Sequence, residues 1–468
     1  MTNDLLETLK HKRFALKPEI LLTRNGPRKN HALAVEDGRV VFAGPLPELS
    51  PTDAASALSL PGHAIVPGFI DAHTHLGQTF GKILIGGEPA QIWRRLWVPM
   101  ENALDDEAAY VSAKWQFLEQ LRGGFTGVVN YALNDSSRNA AVHRAAEETG
   151  IRLRSSAGLD EFDGEAASGG AARSLAEILA RIDAHIEETA HYARVTPSVS
   201  SSSFFGNRPE TLAAISEHAS KRGILYQLHA NEHFPEVHDC ILASGKRPLE
   251  LLNETGVLGP HVLIHHATLA TDREVALLRE TGAAVAYNPV ASEWKGNAVA
   301  PALAFAAHGV RFGLGSDNTR FDGFRTLDAA EHAQRLAFGL RTADFSAGAG
   351  WTWVDAITRG SADAAGWSDV GVLEPGARAD FLILDTDRPE TQPSWDFEWE
   401  LVRYYNRDQI VAVLVDGRPV LAAGQPVGWD GREFVRQYRE LAVRVGSVPG
   451  IKRVHGASDL YRPKTAQK

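Results

Sequence analysis

Apolar positions divide the chain into three regimes. Residues 14–23 (FALKPEILLT) and 31–44 (HALAVEDGRVVFAG) are rich in apolar and β-branched residues, and Asp37-Gly38 is a hairpin signal between strands. A matching pattern returns near the other end, at 371–385 (GVLEPGARADFLILD) and 410–424 (IVAVLVDGRPVLAAG), with Asp416-Gly417 in the equivalent place. Two such β-rich segments, far apart in sequence, predict one small composite β-sandwich. Between them, short buried runs alternate with helical patterns. The runs AIVPGFIDAH, GFTGVVNY, IRLRSSAG, ARVTPSV, GILYQLHA, HVLIHH, GAAVAYNP and GVRFGLGSD read as eight strands. Segments such as DDEAAYVSAKWQFLEQLRGG and RPETLAAISEHASKRG read as helices between them. Eight strands with helical crossovers predict a (β/α)8 barrel, with an open doubly wound sheet as the rival. The expected division is 1–62 and 366–430 for the sandwich, 63–365 for the barrel, and 431–468 for a helical or extended C-terminal arm.

Composition narrows the functional classes. The chain has 468 residues, 44% hydrophobic and 23% charged, as expected of a large packed domain with an accessory one. A formal net charge of -10 disfavours nucleic acid as a partner, because phosphate binding wants a basic face. Cys240 is the single cysteine, so neither an intrachain disulfide nor a cysteine metal cluster is available. No apolar run approaches the roughly 20 residues of a membrane span, and the start lacks a signal-peptide core. The expected location is the cytoplasm and no membrane partner is expected.

The 18 histidines change the picture most, because several fall at strand ends. His73 and His75 lie one residue apart at the end of the first barrel strand, and a period of two points them the same way. A lone His-x-His is weak. The fifth strand, however, ends in His229, followed by Glu232; the sixth ends in His265 and His266; the eighth leads to Asp317. Four strands thus deliver imidazole or carboxylate groups to the C-terminal rim of the predicted barrel, where such folds carry their chemistry. Neutral imidazoles with a carboxylate suit a divalent cation.

PGFIDAHTHL, LHANE, LIHHATL and LGSDN, in this order, resemble the amidohydrolase superfamily, within it the cytosine deaminase and triazine hydrolase branch. GVLEPGARADFLILD and VAVLVDGRPV resemble its closing signature, so the likeness runs from about residue 30 to 425. It implies a (β/α)8 barrel with a composite sandwich, the architecture already read from the pattern. It implies metal ligands His73, His75, His229 and Asp317, with Glu232 shuttling protons and His265 orienting the nucleophile or polarising the substrate. Asp317 would also accept a proton. Binuclear relatives use a bridging lysine or glutamate on a middle strand; the fourth strand here ends in serines, so one metal ion is expected, Zn2+ or Fe2+, with Co2+ or Mn2+ able to substitute. His265 is preferred to its neighbour because alternation turns His266 to the other face.

The chain departs from the family pattern in places. Asn130 ends the second strand where an aspartate is common, Thr268 replaces a second histidine after strand six, and Ser292-Glu293 stands where a Ser-Asn pair is usual. The resemblance implies that Asn130 and the Ser292-Glu293 segment lie close to the substrate, as would His233 and the tryptophan-rich run 80–102, in which Trp93 and Trp97 are candidates for an apolar lid. The expected substrate-contacting set is Trp93, His233 and Asn130. The expected activity is hydrolysis of a non-peptide carbon–nitrogen bond in a small molecule by a metal-activated water, deaminating a nucleobase-like or triazine-like ring. The alternative is cleavage of a urea, carbamate, thiocarbamate or amide, such as a phenylurea-type herbicide. A non-catalytic assembly protein on the same fold would have lost ligands, and here every ligand position is filled. Family likeness also implies a homo-oligomer.

Overall fold

The computed structural model describes residues 3–82, 96–132, 138–162, 172–339, 343 and 346–447. Strands β1 (Arg13–Thr23), β2 (Gly26–Arg28), β3 (His31–Glu36), β4 (Arg39–Pro45) and β5 (Leu58–Pro67) open the chain. Eight strands follow: β6 (Phe69–Thr74), β7 (Phe125–Asn130), β8 (Arg152–Gly158), β9 (Val195–Ser201), β10 (Leu225–Ala230), β11 (Val262–His266), β12 (Ala284–Tyr287) and β13 (Phe312–Leu314). The last four are β14 (Phe381–Asp385), β15 (Ile410–Val415), β16 (Arg418–Ala422) and β17 (Gln425–Pro426).

Strands β6 to β13 pair in sequence order, every neighbour parallel. Helices intervene, among them Asp106–Arg122 and Pro209–Arg222 where the helical patterns predicted them. The ring closes by a bridge between Thr74 and Asp317, with Asp317 N–H donating to His73 O at 2.8 Å and Thr74 Oγ1 donating to Asp317 O at 2.7 Å. This is the (β/α)8 barrel. Its apolar girdle is one large core including Phe69, Phe117, Leu153, Ile264 and Leu327.

The two terminal segments do combine. Strands β1–β5 and β14–β17 form one nine-stranded sheet, joined where β14 runs antiparallel to β5, Ile383 opposite Ile65. The predicted run AIVPGFIDAH therefore serves two sheets: Ala64–Pro67 ends β5, and the chain enters the barrel at Phe69. Alternation divides the sheet's faces. Ala64, Val66, Leu382 and Leu384 pack into the barrel core, while Ile65, Phe381 and Ile383 join a separate cluster with Leu16 and Leu33. Both Asp-Gly turns form hairpins with positive φ at each central residue, 46° and 80° at Asp37-Gly38, 48° and 69° at Asp416-Gly417. They abut: a Cβ on Gly38 would lie 2.9 Å from Asp416 O, so only glycine fits.

Past the sheet, the helix Gly431–Gly446 returns to the barrel rim, where Phe434 and Val445 pack with Leu96, Trp97 and Met100. The remainder of the predicted arm, 448–468, lies outside the described residues, as do 83–95 with Trp93. No helix among the described residues is long and apolar enough to cross a membrane.

Sheet and barrel are locked by a buried ionic joint. Arg152, at the start of β8, reaches Asp380 through Nε (2.9 Å) and Nη2 (3.1 Å), and Asp416 through Nη2 (2.7 Å). Arg194 and Arg378 also engage Asp416. Removing the guanidinium would strand Asp380, itself 1% exposed. Arg152→Met is expected to cost about 3–5 kcal/mol of unfolding free energy, read as a lower urea midpoint. An unchanged midpoint would mean that the joint contributes nothing net.

Candidate active site

The rim residues converge because the strand ends leave the sheet in an unusual conformation. Asn231, His266 and Asp317 have φ of 55°, 72° and 56°, the left-handed region that Asn and Asp tolerate best. Gly315 admits the cluster: a Cβ there would collide with the Asn288 side chain and lie 2.9 Å from His73 Cβ. Asp71 ties the floor together, accepting from Ser316 N (2.9 Å), Ser316 Oγ (2.5 Å) and Gln120 Nε2 (2.9 Å).

Five imidazoles stand together. His73 has ring-centre distances of 4.8 Å to His75, 4.9 Å to His229 and 5.4 Å to His266, and it stacks on His265 at 3.8 Å. Asp317 Oδ1 lies 3.5 Å from His75 Nε2 and 4.0 Å from His73 Nε2. His75 Nδ1 is 3.1 Å from Tyr131 O, which places a ring proton on Nδ1 and leaves Nε2 as a lone pair. Burial depresses the pKa of all five, His75 to about 4 and His73 and His229 well below the ordinary value, so each ring is neutral near pH 7.

The group fits a divalent cation. One nitrogen each from His73, His229 and His266 lie within 4.8 Å of one another, as do donor atoms of His73, His75 and Asp317. His73 Nε2 and Asp317 Oδ1 are buried with no hydrogen-bond partner. Imidazole and carboxylate donors that converge, with His73 Nε2 and Asp317 Oδ1 left without hydrogen-bond partners, match metal coordination.

The two histidines that end the sixth barrel strand face different partners. His265 shares the parity of Leu263; its Nε2 is 3.1 Å from Gln227 Oε1 and its ring lies on His73, beneath the site. His266 turns with its left-handed φ to bring Nε2 3.7 Å from Glu232 Oε1 and 3.9 Å from Asp317 Oδ2. Asn288 Nδ2 sits 3.2 Å from His266 Nδ1, which leaves the ring proton on Nε2, facing the two carboxylates. Neither ring is among the residues lining the cavity; His266 Nε2 is directed toward Glu232 and Asp317, and His265 Nε2 toward Gln227.

Other expected positions separate similarly. Glu232 lines the cavity together with Trp97, Tyr131, Phe205, His233 and His229. Burial would raise its pKa, but the positive groups around it, Lys295 among them, hold it well below the usual carboxylate range. His233 Nδ1 lies 4.0 Å from Glu232 Oε2. Asn130 instead braces the first loop, accepting Leu76 N–H on Oδ1 at 3.0 Å, and is not among the residues lining this cavity. Trp93 lies outside the described residues; Trp97 is buried at the cavity.

The sequence reading missed two groups. Lys295 places its ammonium 2.6 Å from Asp317 Oδ2 and 3.0 Å from Glu232 Oε1. Glu236, four residues after Glu232 and on the same cavity, accepts from the backbone N–H groups of Asn231 (2.9 Å) and Glu232 (2.7 Å). Burial, with Glu232 beside it, lifts Glu236 to about 7.

Known proteins bear on the site at this point. The chain is 28% identical over 413 residues to a 5-methylthioadenosine/S-adenosylhomocysteine deaminase of Nitratidesulfovibrio vulgaris, covering 88% of this chain and 92% of the relative. It is 28% identical over 415 residues to a 5'-deoxyadenosine deaminase of Methanothermobacter thermautotrophicus, covering 87% and 92%. Among solved structures, an adenosine deaminase from Xanthomonas campestris with bound zinc superposes with a TM-score of 0.84 at 23% identity, over 93% of this chain and 99% of that one. An atrazine chlorohydrolase from Arthrobacter aurescens complexed with zinc gives 0.82 at 19%, over 92% and 100%. Those two likenesses are of fold. The sequence model of the amidohydrolase family matches residues 64–420, so this chain belongs to the amidohydrolase family, metal-dependent hydrolases of small-molecule carbon–nitrogen bonds other than peptide bonds.

Proposed function

We propose that this amidohydrolase deaminates an amino-substituted heterocycle, with His73, His75, His229 and Asp317 holding one zinc ion, Glu232 moving the proton, and His266 as the donor beside it. The observation that carries the reading is the placement of Glu232 and His266 over the converging donor set, 3.7 Å from one another. The deaminase names of relatives sharing 28% of residues over most of both chains support the substrate class. Zinc is favoured by the nitrogen and oxygen donors; Fe2+ would suit the same set.

When bound, the ion supplies Lewis-acid polarisation and lowers the pKa of water at the site. The residues do the rest. A carboxylate held ionised can take a proton from the attacking water as its oxygen bonds to the amino-bearing carbon. Glu232 then returns that proton to the amino nitrogen, which leaves as ammonia, while the water's second proton ends on the adjacent ring nitrogen and the oxygen becomes the ring's carbonyl. His266 Nε2–H points where negative charge gathers on the reacting centre, a donor that serves the transition state more than the ground state. Trp97, Tyr131 and Phe205 give the ring an apolar enclosure.

Ammonia release from cytosine, guanine, adenosine and triazines is the direct test. Silence across that panel, with amine release from aryl ureas or thiocarbamates, would overturn the deaminase reading in favour of urea or carbamate hydrolysis. Glu232→Gln is expected to keep its metal and lose about 10²–10⁴-fold in kcat, the usual worth of a positioned acid–base group. Full activity in a metal-replete Glu232→Gln protein refutes the shuttle. His266→Ala should lose about a hundredfold or more at equal metal content, as for removal of a transition-state donor. A larger catalytic loss from His265→Ala at equal metal content would reverse the assignment of the pair.

Acid should strip the metal through the ligands themselves. His75 is the ligand imidazole with the mildest depression, to about 4, and a protonated ring cannot coordinate. Zinc retained on ultrafiltration is expected to hold between pH 8 and pH 5 and to fall as pH drops through about 4. Loss already complete at pH 6 would mean that the rings are not held neutral by burial.

A further inference from the structure

Lys295 is the last residue of the short helix Pro289–Lys295, which Gly296 ends with a φ of 69°. From that stop the side chain runs into the site and is 13% exposed. Three groups surround the ammonium: Asp317 Oδ2 at 2.6 Å, Glu232 Oε1 at 3.0 Å, and the ring of Trp97, whose centre is 5.3 Å away. Two residues further on, Asn297 Nδ2 reaches the same Glu232 oxygen at 3.4 Å. The Glu232 backbone is meanwhile held by Glu236 through its N–H.

The chemistry of these contacts points one way. A buried ammonium is costly unless paired, and a buried carboxylate equally so, which makes the pairing mutual. Charge-assisted bonds are short and directional, so the pair fixes geometry as well as charge. A glutamate has three side-chain torsions, and a shuttle that must meet first a water and then a leaving nitrogen loses rate when it scatters among rotamers. Both the lysine and the asparagine contact fall on Oε1, so proton exchange falls to Oε2. Trp97 covers a further side of the ammonium, which leaves Lys295 directed at the protein's own groups.

We propose that Lys295 is the positioning residue of this site: its ammonium ties the Glu232 carboxylate to Asp317 and so holds the proton shuttle over the reacting centre. The proposal rests on Glu232 acting as that shuttle. A cation between the shuttle and a ligand carboxylate also sets the charge of the site. With a divalent ion bound, Lys295, Glu232 and Asp317 leave a net charge of +1, the two carboxylates being answered by three positive charges. The lysine therefore opposes the ion while it positions the base.

The test uses zinc-loaded wild type, Lys295→Met and Lys295→Arg, assayed with whichever aminoheterocycle of the panel is turned over fastest. Lys295→Met is expected to lower kcat about a hundredfold, the scale of a 1 Å misplacement, with KM moving less than about threefold. Lys295→Arg should recover at least about tenfold of that loss, because a guanidinium can bridge the same two carboxylates. Zinc affinity, measured by competition with a chelator, should tighten in Lys295→Met, since one positive charge leaves the neighbourhood of the ion. Wild-type kcat in Lys295→Met overturns the proposal. So does a loss confined to KM, which would make Lys295 a substrate contact, and so does weakened zinc binding, which would make it a builder of the ligand set. A readout free of turnover separates this from failure of the deaminase reading. The Lys295→Met change in zinc affinity should differ between the wild-type and Glu232→Gln backgrounds by about threefold or more, as for coupled neighbours. Identical changes overturn the tie between Lys295 and Glu232 whatever the substrate proves to be.

Discussion

The chemistry of this protein depends on burial deep enough to keep five imidazoles neutral beside a carboxylate, Glu232, that stays charged. Either half alone would be unremarkable. Histidines in water titrate near neutrality, and a carboxylate buried alone would take up a proton. Packed at one barrel mouth, the rings lose their protons because each would face both a dry surround and its neighbours. Glu232 escapes the same fate because His266 and Lys295, 3.7 Å and 3.0 Å from its Oε1, favour the carboxylate over its protonated form. The resulting set has lone pairs for a cation and an ionised base next to it, all at one pH. Nothing in the apolar girdle performs a reaction, yet the girdle is what makes the donor set usable.

Closure of the barrel converts that electrostatic state into geometry. The first and eighth barrel strands meet through the bridge between Thr74 and Asp317 and through the hydrogen bonds that converge on Asp71. Because His73 and Asp317 are held by the same seam, the separation of these two proposed ligand groups is a property of the fold and not of flexible side chains. The left-handed turns at Asn231, His266 and Asp317 then aim side chains that a continued strand would send elsewhere. Such turns cost conformational energy, and their concentration at one rim is the pattern of strain stored at functional sites.

Much of this was legible in the sequence, and what was not has specific physical reasons. Eight buried runs with helical spacers predicted the barrel, and matched Asp-Gly turns at both ends predicted the shared sheet, because both signals are local. The choice of four ligands among His73, His75, His229, Glu232, His265, His266 and Asp317 came from the family resemblance; the whole set stood out because strand ends in a barrel share one rim. The order within His265-His266 did not, since alternation holds only while the strand continues, and a positive φ at a non-glycine residue leaves no mark in sequence. Asn130 looked like a substrate contact because of its position on a strand end; its amide oxygen is instead taken by the Leu76 backbone, a pairing that depends on where the first loop runs. Lys295 went unnoticed because it lies beyond its strand on a helix of about two turns, and no period forecasts where a long side chain after a loop will reach.

That last case has a wider consequence for reading substrate choice in this fold. The proposed ligand groups come from strands and strand ends, which the barrel holds in common register, whereas Lys295, Asn297 and Trp97 come from connecting segments. Trp97 is further fixed from outside the barrel, packed with Phe434 and Val445 of the helix that follows the nine-stranded sheet. The region around the proposed metal set is therefore built by parts of the chain nearly 350 residues apart, and Trp97, Lys295 and Asn297 lie outside PGFIDAHTHL, LHANE, LIHHATL and LGSDN. A site assembled that way can exchange its substrate by altering loops while its hydrolytic centre stays constant. It follows that likeness in the ligand motif speaks to the reaction, and that the groups packed over Glu232 speak to what is hydrolysed.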